Sequence, residues 1–167
     1  MKQNELVQTL QEIRFLHDIS NVHLAELASV AAVRDFERQQ VVFREGDAAA
    51  HVYLVVSGNV SLEICASSIG CKRILTAGPG ELLGWSALLD DARLTATART
   101  TEASRLVELD AARLLSICQQ NLEFGFEIMR RTLLAVTKRL NATRMQLLDV
   151  YGSQLPAAAT TEGHDGR

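Results

Sequence analysis

The sequence has no run approaching the ~20 uninterrupted apolar residues that a membrane-spanning helix requires. Its start, Met1 to Arg14, is polar and charged where a secretory signal needs an apolar core. Both absences predict a cytoplasmic protein that does not engage a membrane. Cysteine is scarce: Cys65, Cys71 and Cys118 make an odd count, with no CxxC pair and no histidine beside them. They read as reduced thiols serving as small apolar fillers, which excludes a disulfide framework and a zinc site. A charge excess is lacking too. With 17 basic against 20 acidic residues the net charge is -3, so no overall field favours nucleic acid or anionic lipid. What remains is an ordinary globular composition, 47% hydrophobic and 22% charged over 167 residues, enough for one well-filled core.

The hydrophobic period divides the chain. Leu6, Leu10, Ile13 and Leu16 recur at three- and four-residue steps, as do Leu24, Leu27 and Ala28, which predicts two helices within residues 1–32. Ser20 with Asn21 offers the N-cap of the second, and Glu26 lies near its first turn. From Val33 to Leu109 the pattern becomes short β-branched or alternating runs: VRDF, VVF, HVYLVV, NVSLEI, KRILTA, LTATART and SRLVEL. Turn residues at Arg44–Asp47, Ser57–Asn59 and Gly78–Gly80 separate them. Seven or so short antiparallel strands each bury one face and need a second layer, so residues 33–109 predict a sandwich or barrel.

Helical spacing returns in residues 110–151. Asp110 can cap a short helix through Leu114, Leu115 and Cys118, and a long helix follows from about Asn121 to Tyr151. Along it Phe126, Met129, Leu133, Val136, Leu140, Thr143, Leu147 and Val150 alternate steps of three and four, the seam of a two-stranded coiled coil. Ile128, Leu134, Met145 and Leu148 add apolar positions off the seam, so the helix can touch its own barrel and also a partner helix. This predicts a homodimer, against the simpler alternative that the stripe packs on its own barrel. The segment 152–167, GSQLPAAATTEGHDGR from Gly152 on, is small and polar and is expected to be a disordered tail.

The densest run is Gly80 to Thr97, GELLGWSALLDDARLTAT. A glycine turn running into a short helix leaves backbone N–H groups that can cradle a phosphate where neighbouring side chains are small, as Ser86 and Ala87 are. Thr95 and Thr97 are expected to alternate onto one face of the next strand. The competing reading is a glycine turn that binds nothing.

The order of helices, β-roll with Gly46, Gly58, Gly80 and Gly84, loop-helix cassette and long helix resembles the cyclic nucleotide-binding domains of bacterial catabolite-activator proteins and protein kinase A regulatory subunits, over roughly residues 10–150. The resemblance implies an α+β fold: an antiparallel β-roll, a jelly-roll-like double-stranded β-helix, flanked by N-terminal helices and a long C-terminal helix. It implies that Gly84 to Thr97 is the phosphate-binding cassette, with Gly84, Trp85, Ser86, Ala87, Arg93, Thr95, Ala96 and Thr97 as ligand contacts and cAMP or cGMP as ligand. Two charged positions depart. Trp85 stands where the family's Glu takes the ribose hydroxyl, and in an ungapped match Leu94 stands where the family's Arg neutralises the phosphate, with Arg93 one residue early. Trp85 is then either part of an altered pocket, stacking on a base, or a plug in the old site. Thr143 matches a position from which relatives reach the base across the dimer; its alternative is a hydroxyl bonded to its own helix carbonyl. Relatives that regulate transcription continue into a helix-turn-helix domain, and only the tail follows Tyr151, so direct DNA binding is not expected.

Three functions follow. One is a stand-alone regulatory domain that senses a small ligand and signals through its long helix to an unidentified partner protein. Another is a non-sensing dimeric adaptor with its pocket filled by Trp85. The third, a metal-dependent cupin-like enzyme, lacks its ligands: His51 and Tyr53 share a strand without a second His or a Glu, His17 and His23 lie among the N-terminal helices, and His164 lies in the tail. No metal site and no enzyme activity are expected.

Overall fold

The computed structural model describes residues 3–68, 70–89 and 92–152; the tail predicted for 152–167 lies outside them but for Gly152. It divides into two compact units, Met1–Ala135 and Val136–Arg167. The first opens with helix α1 (Gln3–Glu12), a one-turn helix at Arg14–Leu16 and helix α2 (Asn21–Ser29). Ser20 caps α2 as its position suggests, its Oγ accepting the His23 N–H at 3.3 Å. Eight strands follow: β1 (Ala31–Phe36), β2 (Val41–Phe43), β3 (His51–Ser57), β4 (Val60–Ala66), β5 (Gly70–Ala77), β6 (Leu82–Leu83), β7 (Thr97–Thr100) and β8 (Ser104–Asp110). They form two antiparallel four-stranded sheets, ordered β1-β8-β3-β6 and β2-β7-β4-β5. Helix α3 (Ala111–Gln120) starts at Asp110, whose carboxylate accepts the Arg113 N–H at 2.9 Å. Helix α4 (Leu122–Tyr151) completes the predicted α+β roll and runs on from the first unit into the second.

Strand β3 explains how the first unit holds together. Val52 and Leu54 face a helix-side core with Leu10, Leu16, Leu24, Leu27, Leu114 and Phe124. Tyr53 and Val55 face a second core between the sheets, with Val60, Leu62, Leu83, Ala98 and Leu106. An apolar run reading HVYLVV is therefore buried on both faces, which is why it does not alternate. Each fully buried Leu, Val or Phe stabilises by roughly 1.5–3 kcal/mol relative to exposure.

Within the first unit α4 enters against the helix-side core through Phe124 and Ile128. Gly125 makes that entry possible, since a Cβ there would lie 2.6 Å from the Cys118 carbonyl oxygen at the end of α3. Arg131 ties the helix down by donating to the Phe15 carbonyl at 2.7 Å. Of the four off-seam residues expected to reach the barrel, only Ile128 is buried. Leu134, Met145 and Leu148 are exposed, and Phe124, two residues before the seam, does the packing instead. The reason is helical phase: Phe124 and Ile128 are four apart and share one face, and Leu134 falls off it.

Two further expectations are corrected. Cys65 and Cys71 are not buried fillers: both are exposed and joined by a disulfide. They are direct partners across the β4–β5 ladder, with Cα atoms 3.9 Å apart. A register shift between Leu62 and Glu63 sets that pairing, and sequence spacing alone does not reveal it. Cys118 is buried and free, as expected, and burial pushes its thiol pKa up. LTATART is not one strand either, because β7 begins only at Thr97.

Candidate functional site

The cassette grows from a single backbone necessity. At the end of β6 the chain turns at Gly84, which adopts φ 70°, and a Cβ there would sit 2.8 Å from the His51 carbonyl and 3.4 Å from the Tyr53 ring. Only glycine allows that close approach in the left-handed region. Phe43 and Tyr53, with ring centroids 5.6 Å apart, make the floor beneath it. Burial, then the nearby Glu108 carboxylate, push the Tyr53 phenol up to about 12, so it stays protonated as an apolar wall with a donor tip.

From Gly84 the chain makes one helical turn, Trp85–Leu88, packed against β3 and α3. Its first ladder bond runs from Ala87 N–H to the Gly84 carbonyl at 3.0 Å. The amides of Trp85 and Ser86 thus precede the ladder, the position in which helix-start N–H groups can face an anion. Ser86 and Ala87 are buried. Trp85 is half-buried and packs, with Leu88, against the helix-side core and not the cluster between the sheets.

The return segment is zipped to the turn that follows β2. Gly46 N–H donates to the Leu94 carbonyl at 2.8 Å, Leu94 N–H to the Asp47 carbonyl at 3.0 Å, and Ala49 N–H to the Ala92 carbonyl at 3.1 Å. Arg93 is exposed and its Nη1 donates to the Gly46 carbonyl at 2.8 Å. Leu94 is 7% exposed, an apolar side chain turned inward beside an arginine turned outward. Thr97 is buried, and its Oγ1 accepts the Glu45 N–H at 3.0 Å. The Glu45 carboxylate in turn accepts the Cys65 N–H at 3.3 Å.

Gly84, Trp85, Ser86 and Ala87 thus lie at the turn and its one-turn helix, Arg93, Thr95 and Ala96 on the return segment, and Thr97 at the start of β7. Thr95 and Thr97 do not share a face: Thr95 precedes β7 and is exposed, whereas Thr97 is buried. Strand alternation does not apply where the chain bends. In the second unit Thr143 is exposed, with its Oγ1 donating to the Arg139 carbonyl at 3.0 Å, the local bond held open as its alternative. The sequence marks Gly46 as a turn glycine and Tyr53 as a strand residue, but assigns neither of them, nor Phe43, Glu45 and Asp47, to the site. The signal present was REGD, legible as a turn, but its clamp on residues 92–97 depends on contacts across the fold. Among the described residues no three His, Cys, Asp or Glu side chains converge as a metal site.

A two-sheet β-roll with a glycine-led helical cassette and a long terminal helix defines a class, and the comparisons agree with it. Residues 33–121 match the cyclic nucleotide-binding domain, and the chain belongs to that family. Over 123 residues it is 28% identical to a CRP-like cAMP-activated global transcriptional regulator of Mycobacterium tuberculosis, covering 73% of this chain and 53% of the relative. The chain thus spans about half the length of that relative. Its fold is that of a cyclic nucleotide-binding domain from Methylobacillus flagellatus, with a TM-score of 0.73 at 18% identity, covering 93% of this chain and 85% of that one. It is also that of the Thermus thermophilus catabolite activator protein, with a TM-score of 0.66 at 23% identity, covering 83% and 63%. At the level of the family, then, this is a cyclic nucleotide-binding domain, and the matched relative is a transcriptional regulator.

Proposed function

We propose that the chain is a cytoplasmic regulatory module that binds a small ligand, a cyclic nucleotide such as cAMP or cGMP or a close relative, in the Gly84–Thr97 cassette and passes the event through α4 to a homodimeric partner helix and on to a partner protein. The observation that carries this reading is the cassette itself: a left-handed Gly84 seated on β3, followed by one helical turn. Membership of the family and the cAMP-activated relative support the choice of ligand class.

The α4 surface supports the output. Phe126, Met129 and Leu133 in the first unit, and Leu140, Leu147 and Val150 in the second, are exposed at the spacing of a coiled-coil seam, with Val136 half-buried between them. In this reading Thr143 is the polar member of that seam, and its hydroxyl, already donating to Arg139, can still accept from a ligand. Isothermal titration with cAMP, cGMP and cyclic dinucleotides tests the proposal. Saturable heat at submillimolar ligand is expected for at least one, and silence for all of them removes ligand sensing.

The buried Leu94 favours a second reading, a dimeric adaptor that takes no nucleotide, because no guanidinium is turned inward at that position. In the form that has Trp85 plug the pocket it is less well supported, since the indole packs toward the helix-side core. Trp85→Glu combined with Leu94→Arg separates the two readings. If only the lost carboxylate and guanidinium stand between this cassette and nucleotide, each worth about 1.5–3 kcal/mol as a charge-assisted contact, the double variant acquires cAMP binding that the natural chain lacks.

A further inference from the structure

Among the described residues, strand β4 has no partner in β7 beyond Glu63: the β4–β7 pairing ends at Glu63↔Thr97, and Ile64, Cys65 and Ala66 pair with Lys72, Cys71 and Gly70 of β5. This end of the sheet is a two-stranded ribbon, a form that is marginal in water without a further strand or a cross-link. The disulfide Cys65–Cys71 is that cross-link, and it closes a sequence separation of 6. Both cysteines are exposed, so an attacking thiolate can reach the sulfurs.

The ribbon also touches the cassette. Cys65 N–H donates to the Glu45 carboxylate at 3.3 Å, Glu45 N–H donates to Thr97 Oγ1 at 3.0 Å, and the next amide, Gly46, holds the Leu94 carbonyl at 2.8 Å. We propose that Cys65 and Cys71 are a reversible thiol–disulfide exchange site whose state is transmitted through Glu45 to the cassette clamp at Gly46 and Leu94.

The chemistry is ordinary exchange. A Cys thiolate attacks a small disulfide such as glutathione disulfide and releases one glutathione thiolate. The second Cys attacks the resulting mixed disulfide and releases the other. Two protein thiols are oxidised as one glutathione disulfide is reduced to two glutathiones, and the two protons leave with them. In a reducing compartment an exposed pair of this kind opens and closes with the thiol pool, whereas a structural disulfide does not. The buried Cys118 takes no part.

The test uses the full chain without ligand, so its outcome is independent of any nucleotide binding. The protein is equilibrated in glutathione buffers from reducing to oxidising, with intact mass and thiol titration following the cysteines and amide hydrogen exchange following the clamp. The expected result is a single two-electron step that spares Cys118, with exchange at Gly46 and Leu94 slowing on the order of tenfold in the disulfide form. The double variant Cys65→Ser with Cys71→Ser should exchange at the reduced rate in every buffer. Glu45→Ala, which removes the side-chain acceptor of the Cys65 N–H, should keep the two-electron step while losing most of the difference at the clamp. Free thiols in the oxidising buffer, a disulfide that no thiol buffer opens, or unchanged clamp exchange would each overturn the proposal. A full clamp response in Glu45→Ala would overturn the route through Glu45.

Discussion

Gly84 is the residue on which the cassette turns. Adding a methyl group there meets the His51 carbonyl at 2.8 Å and forces a side chain into a left-handed backbone. Gly84→Ala is expected to lower the unfolding free energy by about 1–3 kcal/mol in urea titration, whereas Ala at the open position Gly46 meets no neighbouring atom and suffers only the backbone term. Much of this scale is legible in sequence. Gly84, Ser86 and Ala87 form the glycine turn and short helix that the run GWSALL announces, and the caps at Ser20 and Asp110 are local enough to read directly. Thr95 and Thr97 are not, because a bend before β7 breaks their alternation. Nor is the Cys65–Cys71 disulfide, since one register shift decides which side chains meet.

Among the elements, α4 divides its apolar residues between two tasks. Phe124 is fully buried in the helix-side core, and Phe124→Ala is expected to cost about 3–5 kcal/mol in chemical unfolding. Phe126, 70% exposed two positions later, contributes nothing to that core, so Phe126→Ala should leave the unfolding midpoint of the monomer nearly unchanged. The seam is the place for a different measurement. Leu140→Glu with Leu147→Glu puts charges into an apolar stripe, and analytical ultracentrifugation should find the variant monomeric at concentrations where the natural chain is dimeric. A natural chain that is itself monomeric at every concentration would remove the dimer from the proposed function. The three-four spacing is plain in sequence, but the heptad does not say which of the neighbouring apolar residues turns inward. That is settled by the phase at which α4 leaves α3, where Gly125 lies against Cys118.

For the molecule as a whole, electrostatics add modestly to burial. Hydrogen bonds from Arg130, and with them those from Arg131, hold the Glu127 carboxyl down at about 2, against an ordinary value of 4.5. A depressed folded value means that the contribution is present above the unfolded pKa and is lost as pH falls from about 4.5 through about 2. The groups are partly exposed, so the effect is at most about 1 kcal/mol. Comparing urea midpoints of the natural chain and Glu127→Gln should show the natural chain ahead near neutral pH and the gap closing at the acid end of that window.

Strand β3 serves two cores at once, Val52 and Leu54 on one side and Tyr53 and Val55 on the other. Tolerance to substitution should follow from this. In β1 Ala31, Val33 and Phe36 are half-buried while Ala32, Arg34 and Asp35 are exposed, and a saturation-mutagenesis map should find permissive sites among restricted ones there. Across Val52 to Val55 it should instead show an uninterrupted restricted block, because every polar replacement enters one interior or the other. Natural variation that retunes the cassette therefore has to come from the loops around β3, leaving the strand itself as the part of the domain with the least room to change.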